Sequence, residues 1–124
     1  MMLNTVKVKE ENYHKGKYGE NIAKDFLIKK GFNFIEANFE NKIGEIDLIM
    51  TDNDWLVFIE VKYKSDDKFG VPEEMISKNK IWQVKKVAES YIVEKRQEMY
   101  KFKKYRIDAV CILGDKISHY ENIE

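Results

Sequence analysis

Three acidic residues of this chain have side-chain types and a spacing that could bind a cation, and one lysine lies beside them: Glu45, Asp47 and Glu60, with Lys62. They lie on two β-rich runs separated by a polar turn at 52–54, and this pattern predicts a β-hairpin. Directly opposed residues on antiparallel strands share a face, with Cβ atoms about 4.5 to 5.5 Å apart. The register of the hairpin therefore decides which of these groups meet.

A two-residue turn at Asn53-Asp54 would place Asp47 opposite Glu60 and Glu45 opposite Lys62. Two carboxylates about 5 Å apart repel by roughly 3 kcal/mol at an effective dielectric near 20. Three acids then face one lysine, and a divalent cation that prefers oxygen ligands would fill this deficit of positive charge. The alternative is a half-exposed hairpin with an ordinary salt bridge between Glu45 and Lys62.

Length and composition set the outer limits. The chain has 124 residues, of which 44% are apolar, which suffices for one domain with its own core. Its 22 Lys and Arg residues equal its 22 Asp and Glu residues, so nucleic-acid binding would need local clustering of positive charge. The lone Cys111 lies in an apolar run, which excludes a disulfide framework and indicates the cytoplasm. The N-terminal residues are too polar for a signal sequence, so no membrane partner is expected.

The succession of patterns predicts an α/β fold: a single-domain α-β-β-β-α-β(-β) core with a central mixed sheet flanked by helices. Residues 1–12 are assigned to an N-terminal tail and residues 13–122 to the domain. The predicted elements are a helix over 13–30, a strand over 32–40 with a bulge near Phe34, the hairpin, a polar loop over 64–70, a helical turn after Pro72, a helix from 78 to about 98 capped by Ser77, and strands over 106–113 and 116–120.

Two charged residues lie close to the apolar sides of the predicted helices. Glu20 is at the edge of the apolar arc of the first helix, where Gly16 and Gly19 would let the helix approach the sheet closely. Lys80 projects within the apolar stripe of the second helix. Glu20 is either exposed or directed towards the sheet. Lys80 either extends its stem along the apolar surface or meets a buried acid.

The opposite side of the second helix is basic and carries one aromatic residue. Such a face is usually no more than solvated helix surface. Lysines around an aromatic ring could also contact a phosphate backbone and stack a base. The residues of this basic face are Lys78, Trp82, Lys85, Lys86 and Arg96.

Arg106 and Asp108 alternate onto one face of a predicted strand. They could lie beside Lys80 or Glu20, or they could form a structural ion pair at the end of the sheet. His119 and the other histidine of the chain have no partner at ligand spacing, so a zinc site is not expected.

Five sequence blocks, in order, resemble the YraN family of small bacterial proteins, which are described as predicted endonucleases. The resemblance covers residues 13–122. The order of elements is similar to the PD-(D/E)xK restriction-endonuclease-like core, shared by type II restriction enzymes and archaeal Holliday junction resolvases, although Ile46 replaces the signature proline. The blocks are Gly19-Glu20, Gly44 to Ile49, Phe58 to Lys62, Phe69-Gly70 with Lys80 beyond it, and Arg106 to Asp108.

The resemblance implies that Asp47 and Glu60 are metal ligands and that Lys62 is the motif lysine. Glu20 matches the first-helix glutamate of the resolvase-like branch and could hold a second metal through water. The hard oxygen ligands fit Mg²⁺ or Mn²⁺, and the backbone carbonyl of Val61 could complete the set.

The function expected from this resemblance is metal-dependent hydrolysis of DNA phosphodiester bonds, on branched or single-stranded substrates among others. Lys80 would contact the substrate phosphate. One alternative is a nucleic-acid-binding or repair-complex module with little turnover, and another is a protein-interaction domain that keeps an acidic pocket as a relic. Symmetric cleavage of two strands would need a second subunit, so a homodimer stays open.

Overall fold

The fold is a five-stranded sheet with one helix packed on each face. The computed structural model describes residues 2–65, 76–95, 101–102 and 104–124, with side chains from residue 16 onward. The elements are α1 (Met2–Lys29), β1 (Asn33–Glu40), β2 (Glu45–Asp52), β3 (Trp55–Lys64), α2 (Lys78–Glu94), β4 (Lys104–Leu113) and β5 (Lys116–Tyr120). This order confirms the predicted α/β arrangement.

The strands lie in the sheet in chain order, β1-β2-β3-β4-β5. Neighbouring strands are antiparallel except for β3 and β4, which are parallel. A parallel pair cannot be joined by a tight turn, so a longer crossover is needed, and α2 lies in it. The sheet is therefore mixed, with α2 against one face and α1 against the other.

Each face of the sheet buries its own hydrophobic cluster. Alternate residues of β2 and β3 point to opposite faces, and because both faces are covered, the two strands are almost continuously apolar. A charged residue in the middle of such a strand becomes buried, and Glu60 of β3 is buried in this way. The α1 cluster contains Ala23, Leu27, Leu48, Met50, Val57, Ile59, Val110 and Ile112, and the α2 cluster contains Ile46, Ile49, Phe58, Val84, Val87, Ala88, Tyr91 and Ile107.

Helix α1 differs from its prediction at its start. It begins at Met2 and not at Tyr13, so the backbone of the first residues continues the helix. It ends as predicted at Gly31, whose φ of +102° is a conformation that glycine adopts without strain. Whether residues 1–12 act as a tail separate from the domain stays a prediction.

The close approach of α1 to the sheet depends on one of the two glycines. A Cβ on Gly19 would lie 2.9 Å from Cβ of Tyr63 in β3, whereas a Cβ on Gly16 would have no atom within 4 Å. Gly19 therefore sets the distance between α1 and β3, and the expectation for Gly16 was wrong. This contact brings the next residue of α1, Glu20, to the edge of the sheet.

Most of the remaining boundaries follow the sequence closely, but α2 ends at Glu94, with Lys95 as its C-cap, and not near residue 98 as predicted. The Ser77 hydroxyl accepts a hydrogen bond from the Lys80 amide at 3.1 Å, which confirms the predicted helix cap. The register of β1 shifts between Phe34 and Glu36, where the bulge was expected. The helical turn after Pro72 and most of the 64–70 loop lie outside the described residues. Neither helix carries, within the described residues, an apolar stretch sufficient to cross a bilayer.

Candidate metal centre

The hairpin register is the predicted one as far as Leu48, but the ladder ends there, so the predicted pairs of Asp47 with Glu60 and of Glu45 with Lys62 do not form. The pairs run from Asp52 opposite Trp55 to Leu48 opposite Ile59. At the next position the Asp47 carboxylate accepts a hydrogen bond from the Val61 amide at 2.8 Å. A side chain thus continues the contact between β2 and β3 where backbone pairing stops.

Strand β2 changes face at Asp47. Leu48 packs in the α1 cluster and Ile46 in the α2 cluster, although two residues of a regular strand would share a face. The neighbouring β1 changes face at the same level, where Asn38 has a φ of +56°. Because of this bend, the Asp47 carboxylate can contact groups from both sides of the sheet.

Three carboxylates meet at the bend. Oxygen atoms of Glu20, Glu45 and Asp47 all lie within 4.8 Å of one another, and all three residues are half-buried. Glu20 comes from α1 and is hydrogen-bonded by the Asn38 side chain. Glu45 is the ligand candidate that the resemblance did not supply. The signal for Glu45 in the sequence was its position two residues before Asp47 on the same strand.

Glu60 joins this group through Asp47. The two carboxyl groups interact directly, and the charge of Asp47 raises the pKa of Glu60. The Glu60 side chain is only 4% exposed, and its Oε2 atom is buried without a hydrogen-bond partner among the described residues. Such an oxygen is costly to leave unpaired, and a bound cation would satisfy it.

Two amines flank the same carboxylate. Lys62 Nζ lies 3.7 Å and Lys80 Nζ 3.9 Å from Glu60 Oε1. Of the two interpretations of Lys80, the one in which its amine meets a buried acid is confirmed, and the acid is Glu60. The alternative interpretation, a salt bridge between Glu45 and Lys62, is not found in the described part of the chain, where Lys62 pairs with Glu60.

The electrostatics of the group favour protonation or a bound cation. Burial, followed by the charge of Asp47, raises the pKa of Glu60 to about 8, and the two lysines only partly oppose this. Burial also raises the pKa of Asp47. The same two causes, burial and then Asp47, raise the pKa values of Glu20 and Glu45. All four carboxyl groups therefore bind protons more readily than usual, and a divalent cation would compete with those protons.

The donor set fits a hard cation. Every side-chain ligand in the cluster is a carboxylate oxygen, which suits Mg²⁺, Mn²⁺ or Ca²⁺ better than a metal that prefers sulfur or imidazole. The unpartnered Oε2 of Glu60 is a further oxygen able to coordinate. The residues thus fit the class of cofactor expected, and the identity of the ion stays a prediction.

The basic face of α2 is less positive than the sequence suggests. Lys85 pairs with Glu124 at 3.4 Å, and Lys86 pairs with Glu89 at 3.6 Å. Trp82 remains exposed, and Lys86 Nζ lies 5.7 Å from the centre of its ring. Lys78 is exposed on the same helix, and Arg96 lies outside the described residues.

Arg106 and Asp108 form a structural network away from the acidic group. Arg106 donates to Asp108 at 2.9 Å and to Asp52 at 3.0 Å, and Asp108 is 2.9 Å from His119 Nε2. Burial opposes ionisation of Asp108, but hydrogen bonds from His119, Arg106 and the Asn122 amide hold its pKa below the ordinary value. This network fixes the hairpin turn to β4, so the pair lies beside neither Lys80 nor Glu20.

A mixed five-stranded sheet with an acidic group at the end of its central hairpin defines a small α/β protein with a candidate metal centre. The chain belongs to the family described as "Uncharacterised protein family UPF0102", whose family model matches residues 19–112. The family membership expected from the five sequence blocks is thus confirmed. The assignment to the nuclease superfamily stays a prediction.

Relatives match most of the chain. A UPF0102 protein of Dictyoglomus thermophilum is 43% identical over 101 residues, covering 82% of this chain and 83% of the relative. One of Thermodesulfovibrio yellowstonii is 41% identical over 107 residues, covering 86% and 92%. One of Clostridium botulinum is 42% identical over 110 residues, covering 89% and 88%. The matched 19–112 region contains the whole acidic group.

Proposed function

We propose that this protein is a Mg²⁺- or Mn²⁺-dependent nuclease that hydrolyses phosphodiester bonds of DNA. The observation that carries the proposal is Glu60 of β3, a buried carboxylate beside Asp47 whose Oε2 atom has no hydrogen-bond partner among the described residues. A structural ion pair would satisfy both oxygens, as Asp108 does in the same sheet. We infer that Glu60 is instead a ligand of a metal ion that binds to the folded chain.

The ligands proposed for the metal are Asp47 and Glu60, with the Val61 carbonyl as a backbone donor and Glu20 supporting a second ion. Glu45 is added to this set because its oxygen lies with those of Glu20 and Asp47. When bound, the ion would supply Lewis-acid polarisation of a phosphate oxygen and a lowered pKa for a bound water.

The amines have roles that follow from their positions. Lys62 and Lys80 both lie near Glu60 Oε1 and are partly exposed, so a phosphate placed at the acidic group would meet two positive charges. Lys62 is proposed to orient the attacking water or to offset charge on the transition state, and Lys80 to hold the phosphate. Preorganised charges of this kind contribute about 10²- to 10³-fold to rate.

A second candidate function is a nucleic-acid-binding module without turnover. It is favoured by the zero net charge and by the acid pairing of Lys85 and Lys86, which leave little positive charge to hold a long duplex. The two candidates differ in one observable, which is metal-dependent cleavage.

The test combines metal titration with a gel assay on linear, nicked, junction and single-stranded DNA. We expect cleavage with Mg²⁺ or Mn²⁺ by the wild type and its loss in Asp47→Asn and Glu60→Gln. The matched control is Glu36→Gln, since Glu36 accepts a hydrogen bond from Tyr91 outside the acidic group and an amide preserves that bond. Metal binding without cleavage of any substrate would favour the second function. Absence of metal binding would refute the proposed metal site and with it metal-dependent hydrolysis.

The setting of this activity is also proposed. We expect the protein in the cytoplasm, since the chain has one cysteine, Cys111, and so no disulfide framework within it. A homodimer is required only if the substrate is cut symmetrically on both strands. Sedimentation of the protein with and without a symmetric junction DNA would decide this.

A further inference from the structure

A cleft of about 520 Å³ lies beside the acidic group, between the β1–β2 loop and the start of α2. It is lined by Ile43, Ser77, Asn79, Lys80, Trp82 and Gln83. Its volume lies in the range of about 300 to 1,000 Å³ typical of small-molecule sites. Lys80 belongs to both places, since its amine is 3.9 Å from Glu60. A ligand in the cleft would therefore lie next to the candidate metal centre.

The walls of this Ile43–Trp82 cleft are fixed by hydrogen bonds between the loop and α2. Asn41 accepts from the Ile43 amide at 2.9 Å and donates to the Ser90 hydroxyl at 2.7 Å. Gln83 donates to the Ile43 carbonyl at 3.0 Å. Because the loop is tied to the helix at two places, the cleft is a formed feature of the folded chain.

The chemistry of the lining is that of a base-binding site. Trp82 is 61% exposed and Ile43 is 44% exposed, so two large apolar side chains face solvent in the same cleft. A flat aromatic ring next to an aliphatic side chain offers stacking to any nucleobase, and the neighbouring Lys80 offers a positive charge to its phosphate. Amides of Asn79 and Gln83 line the same wall.

We propose that the Ile43–Trp82 cleft holds one unpaired nucleobase of a nucleic-acid strand, stacked on the Trp82 indole, while the adjacent phosphate lies at Lys80. The proposal rests on the proposed function and names its substrate class, which is single-stranded or locally unpaired nucleic acid. In a duplex both faces of a base are covered by its neighbours, so only an unpaired base can enter the cleft.

The zero net charge of the protein also favours an unpaired strand over a duplex as its ligand. A chain with no net charge and with Lys85 and Lys86 paired to acids releases few counterions on binding a duplex backbone. Stacking does not depend on net charge and contributes about 5- to 100-fold per base to affinity. The cleft is thus the place where this protein can gain affinity for a strand that lacks a complement.

The experiment uses the two tryptophans of the chain. In a Trp55→Phe background, Trp82 is the only indole, and its fluorescence is followed while a homothymidine 12-mer is added in EDTA, so that hydrolysis and metal play no part. We expect quenching, with binding at least 10-fold weaker for a duplex of the same length. Trp82→Ala should weaken single-strand binding about 5- to 100-fold, and Trp82→Phe should restore most of it, as followed by anisotropy of a labelled oligonucleotide.

Two further arms complete the test. A homouridine 12-mer in place of the homothymidine one decides between DNA and RNA as the source of the base. A 12-mer of abasic sites, which keeps its phosphates, should bind as weakly to the wild type as the homothymidine 12-mer binds to Trp82→Ala. Circular dichroism of Trp82→Ala should match the wild type, because the side chain is exposed.

The proposal is overturned if Trp82→Ala binds single strands as tightly as the wild type, or if duplex and single strand bind equally. Its failure is distinguishable from that of the nuclease. Trp82-dependent binding without cleavage under any metal would leave this inference standing and refute hydrolysis. Cleavage of duplex and single strand at equal rates, unchanged by Trp82→Ala, would support the nuclease and refute the base-binding cleft.

Discussion

Replacing Glu60 with glutamine should stabilise the metal-free protein and remove its response to metal. The pKa of Glu60 lies above its ordinary value, so the folded protein keeps a proton that the unfolded chain releases. The free energy of unfolding therefore falls as pH rises from about 4.5 to about 8. A glutamine has no charge to bury, and its amide can donate to Asp47, so this penalty disappears in the variant.

The magnitude follows from the pKa values. Between the ordinary value of 4.5 and pH 7 lie about 2.5 pH units, and each corresponds to about 1.36 kcal/mol, which sets a ceiling of about 3 kcal/mol. Asp47 shares the buried charge, so a gain of about 1 to 3 kcal/mol is expected at pH 7. For a chain of this length that raises Tm by about 3 to 15 °C.

The assay is denaturant unfolding from pH 4 to pH 9, first in EDTA and then with Mn²⁺. The gain in Glu60→Gln should shrink as pH falls to 4.5 and below, where the wild-type carboxyl becomes protonated in the unfolded chain as well as in the folded one. Mn²⁺ at about 100 times its Kd should stabilise the wild type by about 2.7 kcal/mol and the variant by much less.

Asp108→Asn is the matched control, since Asp108 is buried in the same sheet but has a lowered pKa. Its ionised form stabilises the fold above its ordinary pKa of 3.8, and this stabilisation is lost as pH falls through the lowered value. Asp108→Asn should therefore destabilise the protein at pH 7. If Glu60→Gln also destabilises the metal-free protein at pH 7, Glu60 is a satisfied structural residue and the reasoning fails.

Three further predictions concern the surroundings of the acidic group. Gly19→Ala should cost about 1 to 3 kcal/mol and weaken Mn²⁺ binding measured by calorimetry, because its Cβ would meet Tyr63. Gly16→Ala has free space and should stabilise the helix by up to about 1 kcal/mol; equal effects would contradict the packing argument. Lys62→Gln should lower the cleavage rate about 10²- to 10³-fold at saturating substrate, whereas Lys80→Gln should mainly raise KM; the opposite split would exchange their roles. Metal affinity should rise with pH up to about 8, with protons released on binding; an affinity that is independent of pH would contradict the raised pKa of Glu60.

The parts of the fold that local rules determine could be predicted from the sequence. The two-residue turn at Asn53-Asp54 fixes the hairpin register, and it holds over all five pairs up to Leu48. Ser77 caps α2 because its hydroxyl is three residues from an amide that needs a partner. In both cases the partners are near in sequence, so the pattern alone carries the information.

The parts of the site that depend on contacts between residues distant in sequence could not be predicted. Glu45 joins Glu20 only because β2 bends at Asp47, and that bend accompanies the positive φ of Asn38, which the hydrophobic pattern does not mark. The positive charge of Lys85 is partly offset by the carboxylate of Glu124, 39 positions further along the chain. The basic face therefore looked stronger in the sequence than it is in three dimensions.

The position of Asp47 between the two hydrophobic clusters has a consequence for folding. Its carboxylate partners come from α1, from the start of β2 and from the middle of β3, so they converge only after α1 has docked on the sheet. A chain in which α1 had not yet docked would lack Glu20 and the packing at Gly19. The ion would then bind only to the fully folded protein, and it would stabilise that state over every partly folded one.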